Sequence, residues 1–138
     1  MTRNDFKIMY SDIMECFQCI EFDMKRIYSG MSEDDFEDCM EMLETSNWGV
    51  VLNQLKKLDN SDGDPYLSDA EYETLDNIRD IRNYWCHQCY LDYVYIQNKR
   101  EQEERFQRLA RRLENEYNRV YKLHRKLQDF YFDNFVED

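Results

Sequence analysis

The chain has 138 residues, 42% apolar and 35% charged, and a formal net charge of −12. That length can bury one hydrophobic core without staples, while the acidity weighs against broad nucleic-acid affinity, which comes from neutralising phosphates. Three glycines and one proline are too few turn-formers for an all-β fold, and no stretch approaches the ~20 apolar residues of a membrane span.

Residues 4–29 predict a first helix. Phe6, Met9, Ile13, Phe17, Ile20, Met24 and Ile27 recur at steps of three or four and share one stripe. Gly30 is the expected stop. Ser32 is the expected cap of a second helix reaching about Thr45, with Glu33, Asp34 and Asp35 in its first turn, where the helix dipole favours negative charge. Asn47-Trp48-Gly49 interrupts the pattern, and Val51, Leu52, Leu55 and Leu58 predict a short third helix to about Asp59. Residues 60–65, Asn-Ser-Asp-Gly-Asp-Pro, are all turn-formers and predict a loop. Ser68 and Glu71 have capping-box spacing. A fourth helix is expected from there through Tyr72, Leu75, Ile78, Ile81, Trp85 and Cys89 to about Ile96. A last helix, about 100–133, carries Phe106, Leu109, Leu113, Tyr117, Val120, Leu123 and Leu127 on its seam. No linker or internal repeat divides the chain. The expectation is one all-α domain, an up-down bundle of four to five helices with mostly antiparallel neighbours.

The charge is unevenly spread. Residues 1–98 hold 8 Lys and Arg against 21 Asp and Glu, whereas residues 99–126 hold 10 against 5. Arg105, Arg108, Arg111, Arg112, Arg119, Lys122, Arg125 and Lys126 make the last helix basic. Three readings stand: a solvated face paired with Glu101, Glu104, Glu114 and Glu116 at helical spacing, docking onto the acidic second helix, or phosphate binding. The N-terminus leads directly into a charged amphipathic stretch without an apolar leader, so a cytoplasmic protein is expected, its five cysteines as thiols. Cys16-Phe17-Gln18-Cys19 and Cys86-His87-Gln88-Cys89 are both CxxC. Cys16, Cys19, Cys86 and Cys89 would ligate zinc if their helices packed side by side; the other reading is buried cysteine in the core. Tyr84, Trp85, Tyr90, Tyr93 and Tyr95 suit a core or dimer interface, with base stacking as the alternative.

The chemistry concentrates in Arg82-Asn83-Tyr84-Trp85-Cys86-His87. Leu75-Asp76-Asn77-Ile78-Arg79-Asp80-Ile81 leads into it, and the segment 47–52 supplies a glycine-containing helix start upstream. This pattern resembles the HEPN family of small helical bundles, marked by an Arg, a polar residue, a spacer and a His. The matching positions are Arg82, Asn83 and His87, and the resemblance covers about residues 5–97. It implies metal-independent RNA cleavage with no cofactor, at a composite site formed by two protomers, in a toxin or antiphage-defence setting with an antitoxin or other operon-encoded partner. Arg82 would bind the scissile phosphate, His87 would act as acid or base, and Asn83 would orient it. Tyr84, Tyr90, Arg79, Arg105, Arg108 and Arg112 are further candidates for RNA contact. Arg82 and His87 are five residues apart, roughly 140° around an ideal helix. They therefore do not converge on one straight helix, which points to a bend or to a second protomer. The alternative is a non-catalytic HEPN-like bundle that binds a protein or nucleotide; a zinc-stabilised bundle is the third reading.

Overall fold

A computed structural model of the chain describes residues 1–136. Those residues form an all-α bundle with no strand. Helix α1 (Arg3–Met31) opens on a capping box: Thr2 Oγ1 accepts from the Asp5 amide at 3.0 Å, and the Asp5 carboxylate accepts from the Thr2 amide at 3.4 Å. Most of its predicted stripe is buried, from Phe6 through Ile13, Phe17, Ile20 and Met24 to Ile27. Gly30 does not stop the helix. It lies in the last turn, where a Cβ would fall 2.7 Å from Phe135 Cδ1, so its missing side chain seats the end of the last helix.

Helix α2 (Phe36–Leu43) is shorter than the expected 32–45. Ser32 caps the end of α1, its amide donating to the Tyr28 carbonyl at 3.0 Å, and its hydroxyl accepts from the Asp34 amide at 3.1 Å in the connecting turn rather than opening α2. Asp35 takes that role, accepting from the Asp38 amide at 3.2 Å. Helix α3 (Trp48–Asp59) starts at the glycine-containing segment and ends at Asp59; Asn47 caps it, accepting from the Val50 amide at 3.0 Å. Trp48 is fully buried and donates from Nε1 to the Leu75 carbonyl at 3.2 Å. The following loop carries the only positive φ among the described residues, 77° at Gly63.

Helix α4 (Asp69–His87) begins at the predicted Ser68–Glu71 capping box. It ends at His87 rather than near Ile96 and passes into a single 3₁₀ turn, Cys89–Asp92. The cause is a local hydrogen-bond set. The Asp92 carboxylate accepts from the Tyr84 hydroxyl and, at 3.2 Å, from Gln88 Nε2, while Cys89 and Tyr93 turn into the core. This folds the chain back toward α5 (Lys99–Phe135), which Asn98 caps.

Helix α4 runs antiparallel to α3 and α5, as the Arg79–Gly49, Trp85–Glu116 and Glu71–Lys126 contacts require. The two longest helices, α1 and α5, instead lie parallel: Arg3 meets Glu103 at one end and Gly30 meets Phe135 at the other. Helix α4 is the return segment between them and runs antiparallel to both. One apolar cluster joins all five helices, with Trp48, Trp85, Phe6, Phe17 and Phe106 among its fully buried members. No described helix is long and apolar enough to cross a membrane.

Candidate functional site

The last two turns of α4 present Arg82, Asn83 and His87 in different directions. Arg82 turns toward α1 and α3. Its Nη1 lies 3.6 Å from the Glu21 carboxylate, and its guanidinium sits 5.2 Å from the Trp48 ring centroid. Asn83 is exposed, and its Oδ1 accepts from Arg82 Nη2 at 3.4 Å. Asn83 therefore touches the arginine rather than the histidine it was expected to orient. His87 is the exposed final residue of α4 and has no hydrogen-bond partner among the described residues. A shallow depression of about 400 Å³ contains Arg82, Asn83 and Arg79 beside the start of α3, with Asn47 and Gly49; His87 lies outside it. Arg79 is paired with Asp76 at 3.3 Å. The angular expectation thus matches the separation seen: within one chain Arg82 and His87 do not meet.

Tyr84 faces the other way, toward α5. With Asp92, Arg105, Arg108, Leu109 and Arg112 it lines a groove of about 440 Å³. The Arg112 guanidinium lies 3.7 Å from the Tyr84 ring centroid and donates from Nε to Glu116 at 2.8 Å. Glu116 also accepts from Trp85 Nε1, which fixes the arginine to the core. Burial opposes the charge on Arg112, but Glu116 outweighs it and raises the guanidinium pKa above its ordinary value. Burial and the bond to Asp92 push the Tyr84 hydroxyl up. The same bond, with that from Gln88, holds Asp92 below the usual carboxylate range. Arg105 is paired with Glu101 at 3.1 Å. Arg108 makes no ion pair or hydrogen bond among the described residues. Tyr90 is elsewhere, half-buried among Phe6, Tyr10 and Tyr93. The aromatic run is therefore mostly core and tether, with Tyr95 as its one largely exposed member.

The cysteines do not form a common set. Cys16 and Cys89 are buried, and burial pushes each thiol up to about 11. Burial also raises Cys19. Cys86 is exposed, with its Sγ 3.8 Å from Met14 Sδ. Among the described residues, no three His, Cys, Asp or Glu side chains are grouped as metal ligands. Cys16 and Cys89 lie in the core and Cys86 on the surface, so the geometry favours core packing for Cys16 and Cys89.

Four residues that shape these surfaces were not singled out as site residues in the sequence: Glu21 and Trp48 around Arg82, and Asp92 and Glu116 around Tyr84 and Arg112. Only Glu116 left a local signal, as a helical-spacing partner of Arg112. The others are brought in by tertiary packing or chain reversal. Comparison with protein-family models, with curated proteins and with solved structures gave no match.

Proposed function

We propose that this chain is a HEPN-like, metal-independent RNA endonuclease that works as a homodimer, of the toxin or antiphage-defence kind. The observation that carries the reading is the placement of Arg82, Asn83 and His87 on the end of α4, with Asn83 and His87 exposed and Arg82 partly so. The chemistry asks for such groups. A ribose 2′-oxygen attacks the adjacent phosphorus while its proton passes to a base; the bond to the 5′-oxygen breaks, and an acid protonates the leaving oxygen. Histidine is the side chain whose ordinary pKa suits both transfers near neutral pH. A guanidinium matches the charge that grows on the phosphate oxygens. Arg82 of one protomer and His87 of the other would share one site, consistent with their separation in a single chain. Asn83, bonded to Arg82, would hold the guanidinium's orientation.

A second reading has its own support. Glu21 and Trp48 already engage Arg82 in the single chain, as expected of a non-catalytic bundle that binds a protein partner or nucleotide. The test is incubation of purified protein with a labelled RNA pool in EDTA, beside Arg82→Ala and His87→Ala proteins. Cleavage by the parent that disappears in both variants supports the nuclease. Cleavage that survives in either variant refutes this site assignment, and no cleavage by the parent favours the binding module.

A further inference from the structure

Two surfaces of this chain carry opposite charges, each with members that have no ion-pair partner among the described residues. The first is the stretch 33–44, including α2, with seven carboxylates and no cation, all seven exposed. None forms an ion pair among the described residues, although carboxylates on α1, α4 and α5 do. Glu37, Glu41 and Glu44 border a groove of about 430 Å³ beside Phe22 and Met40; Lys25 of α1 also lines it, but its Nζ donates to the Glu44 carbonyl at 3.3 Å and pairs with Glu21, so the rim stays acidic on balance. Phe22 and Met42 are each more than half exposed.

The second surface is the first half of α5. Between Lys99 and Lys122 every cation is arginine, the side chain whose planar fork matches a carboxylate with two parallel hydrogen bonds. Arg100 and Arg105 are paired along the helix, and Arg112 is held by Glu116. Arg108 and Arg111 have no ion-pair partner among the described residues, and both line a groove of about 600 Å³ with Arg100, Glu103, Glu104 and Gln107. They stand three residues apart on α5, while Glu37 and Glu41 stand four apart on α2. Both spacings put the pair about one turn apart on one helix face, so the two rows match in pitch.

The match is not made within the chain. Helix α2 packs on α1, and no ion pair joins α2 to α5 among the described residues. We infer that a second copy of this chain docks its acidic α2 face, with Glu37 and Glu41, onto the basic α5 face at Arg108 and Arg111. A second copy is the occupant because its own exposed α2 face supplies unpaired carboxylates at the pitch of these arginines. Charge-paired contacts of this kind set orientation and partner choice. The inference deepens the homodimer in the reading above and rests on it for the presence of a second copy alone.

The experiment is molar mass by light scattering on the full chain, at low salt and at about 1 M salt, where the Debye length falls to about 3 Å. The expected result is a mass above the monomer at low salt that falls to the monomer at high salt. Arg108→Glu with Arg111→Glu should be monomeric at low salt, as should Glu37→Lys with Glu41→Lys, each with unchanged helical circular dichroism. Mixing the two variants should restore the larger mass, because the reversed charges complement each other. A parent that is monomeric at low salt overturns the inference, as does an oligomer that ignores both pairs of substitutions. Binding of a single-stranded RNA oligonucleotide by the parent, lost in Arg108→Glu with Arg111→Glu while mass stays monomeric, would assign the arginines to nucleic acid instead. Mass does not depend on cleavage, so failure of this contact and failure of the nuclease reading are separable.

Discussion

Asp59 ends α3 with a buried carboxylate that accepts three hydrogen bonds: from the Tyr66 amide at 2.7 Å, the Leu67 amide at 3.0 Å and the Tyr72 hydroxyl at 2.6 Å. These bonds fasten the 60–68 connection to the start of α4. Asp59→Ala removes all three acceptors. Tyr66 is exposed, so its amide regains water, whereas Leu67 and Tyr72 are buried. Two stranded donors at about 1–3 kcal/mol each give a loss of about 2–6 kcal/mol. That is a large share of the ~5–15 kcal/mol by which a domain is stable. Tyr72→Phe breaks one bond and leaves the two amides satisfied, so it should cost about 1 kcal/mol. Urea unfolding followed by circular dichroism measures both, through the midpoint at constant slope. Asp59→Ala losing less than about 1 kcal/mol, or no more than Tyr72→Phe, would refute the view that this carboxylate clamps the connection.

Other perturbations have defined signs. Arg82→Ala breaks a partly exposed ion pair and a loose contact over the Trp48 ring, so it should cost about 1 kcal/mol of stability; thermal melts of this variant should keep a single transition close to the parent's. Tyr84→Phe removes the donor that lowers the Asp92 pKa. Because that pKa is depressed in the fold, the lost stability, about 1 kcal/mol, should be present at neutral pH and vanish as pH falls through the acid range in urea titrations. Asp23 behaves oppositely. Burial raises its pKa despite Arg26, whose Nε lies 2.9 Å away, so the folded state holds the proton more tightly than the unfolded chain. Its contribution is fully present below the ordinary carboxylate value and is lost as pH rises through the raised one. Asp23→Asn should therefore gain on the parent as pH rises through that window, measured as the difference in urea midpoint between the two proteins.

Helix existence and core membership were readable because they depend on local periodicity. The stripe from Phe6 to Ile27, the Ser68 capping box and the turn at Gly63 depend on side chains a few residues apart, and each is found as expected. Boundaries failed where one residue had two possible roles. Ser32 has the chemistry of an N-cap, but α1 runs on to Met31 and claims it as its own end. Gly30 has the chemistry of a stop, but its use is the close approach of Phe135 from α5, 105 positions along the chain. The end of α4 was missed because the apolar step from Trp85 to Cys89 continues the helical pattern while Asp92 bends the chain back to Tyr84. At the candidate site, the exposed placement of Asn83 and His87 agrees with their polarity. The partners of Arg82 were illegible, since nothing in the sequence near α4 points to Glu21 or Trp48. The parallel pairing of α1 with α5 was equally hidden, being set by which faces remain after α4 returns the chain.

The central claim is that Arg82 of one protomer and His87 of another build one RNA-cleaving site. Mixing separately purified Arg82→Ala and His87→Ala proteins, allowing the subunits to exchange, and assaying RNA cleavage in EDTA tests it most directly. Random two-fold pairing makes half of the dimers mixed, each with one intact site, so the mixture should recover about a quarter of the parent's activity. Two inactive variants that stay inactive after demonstrated subunit exchange would contradict a shared site.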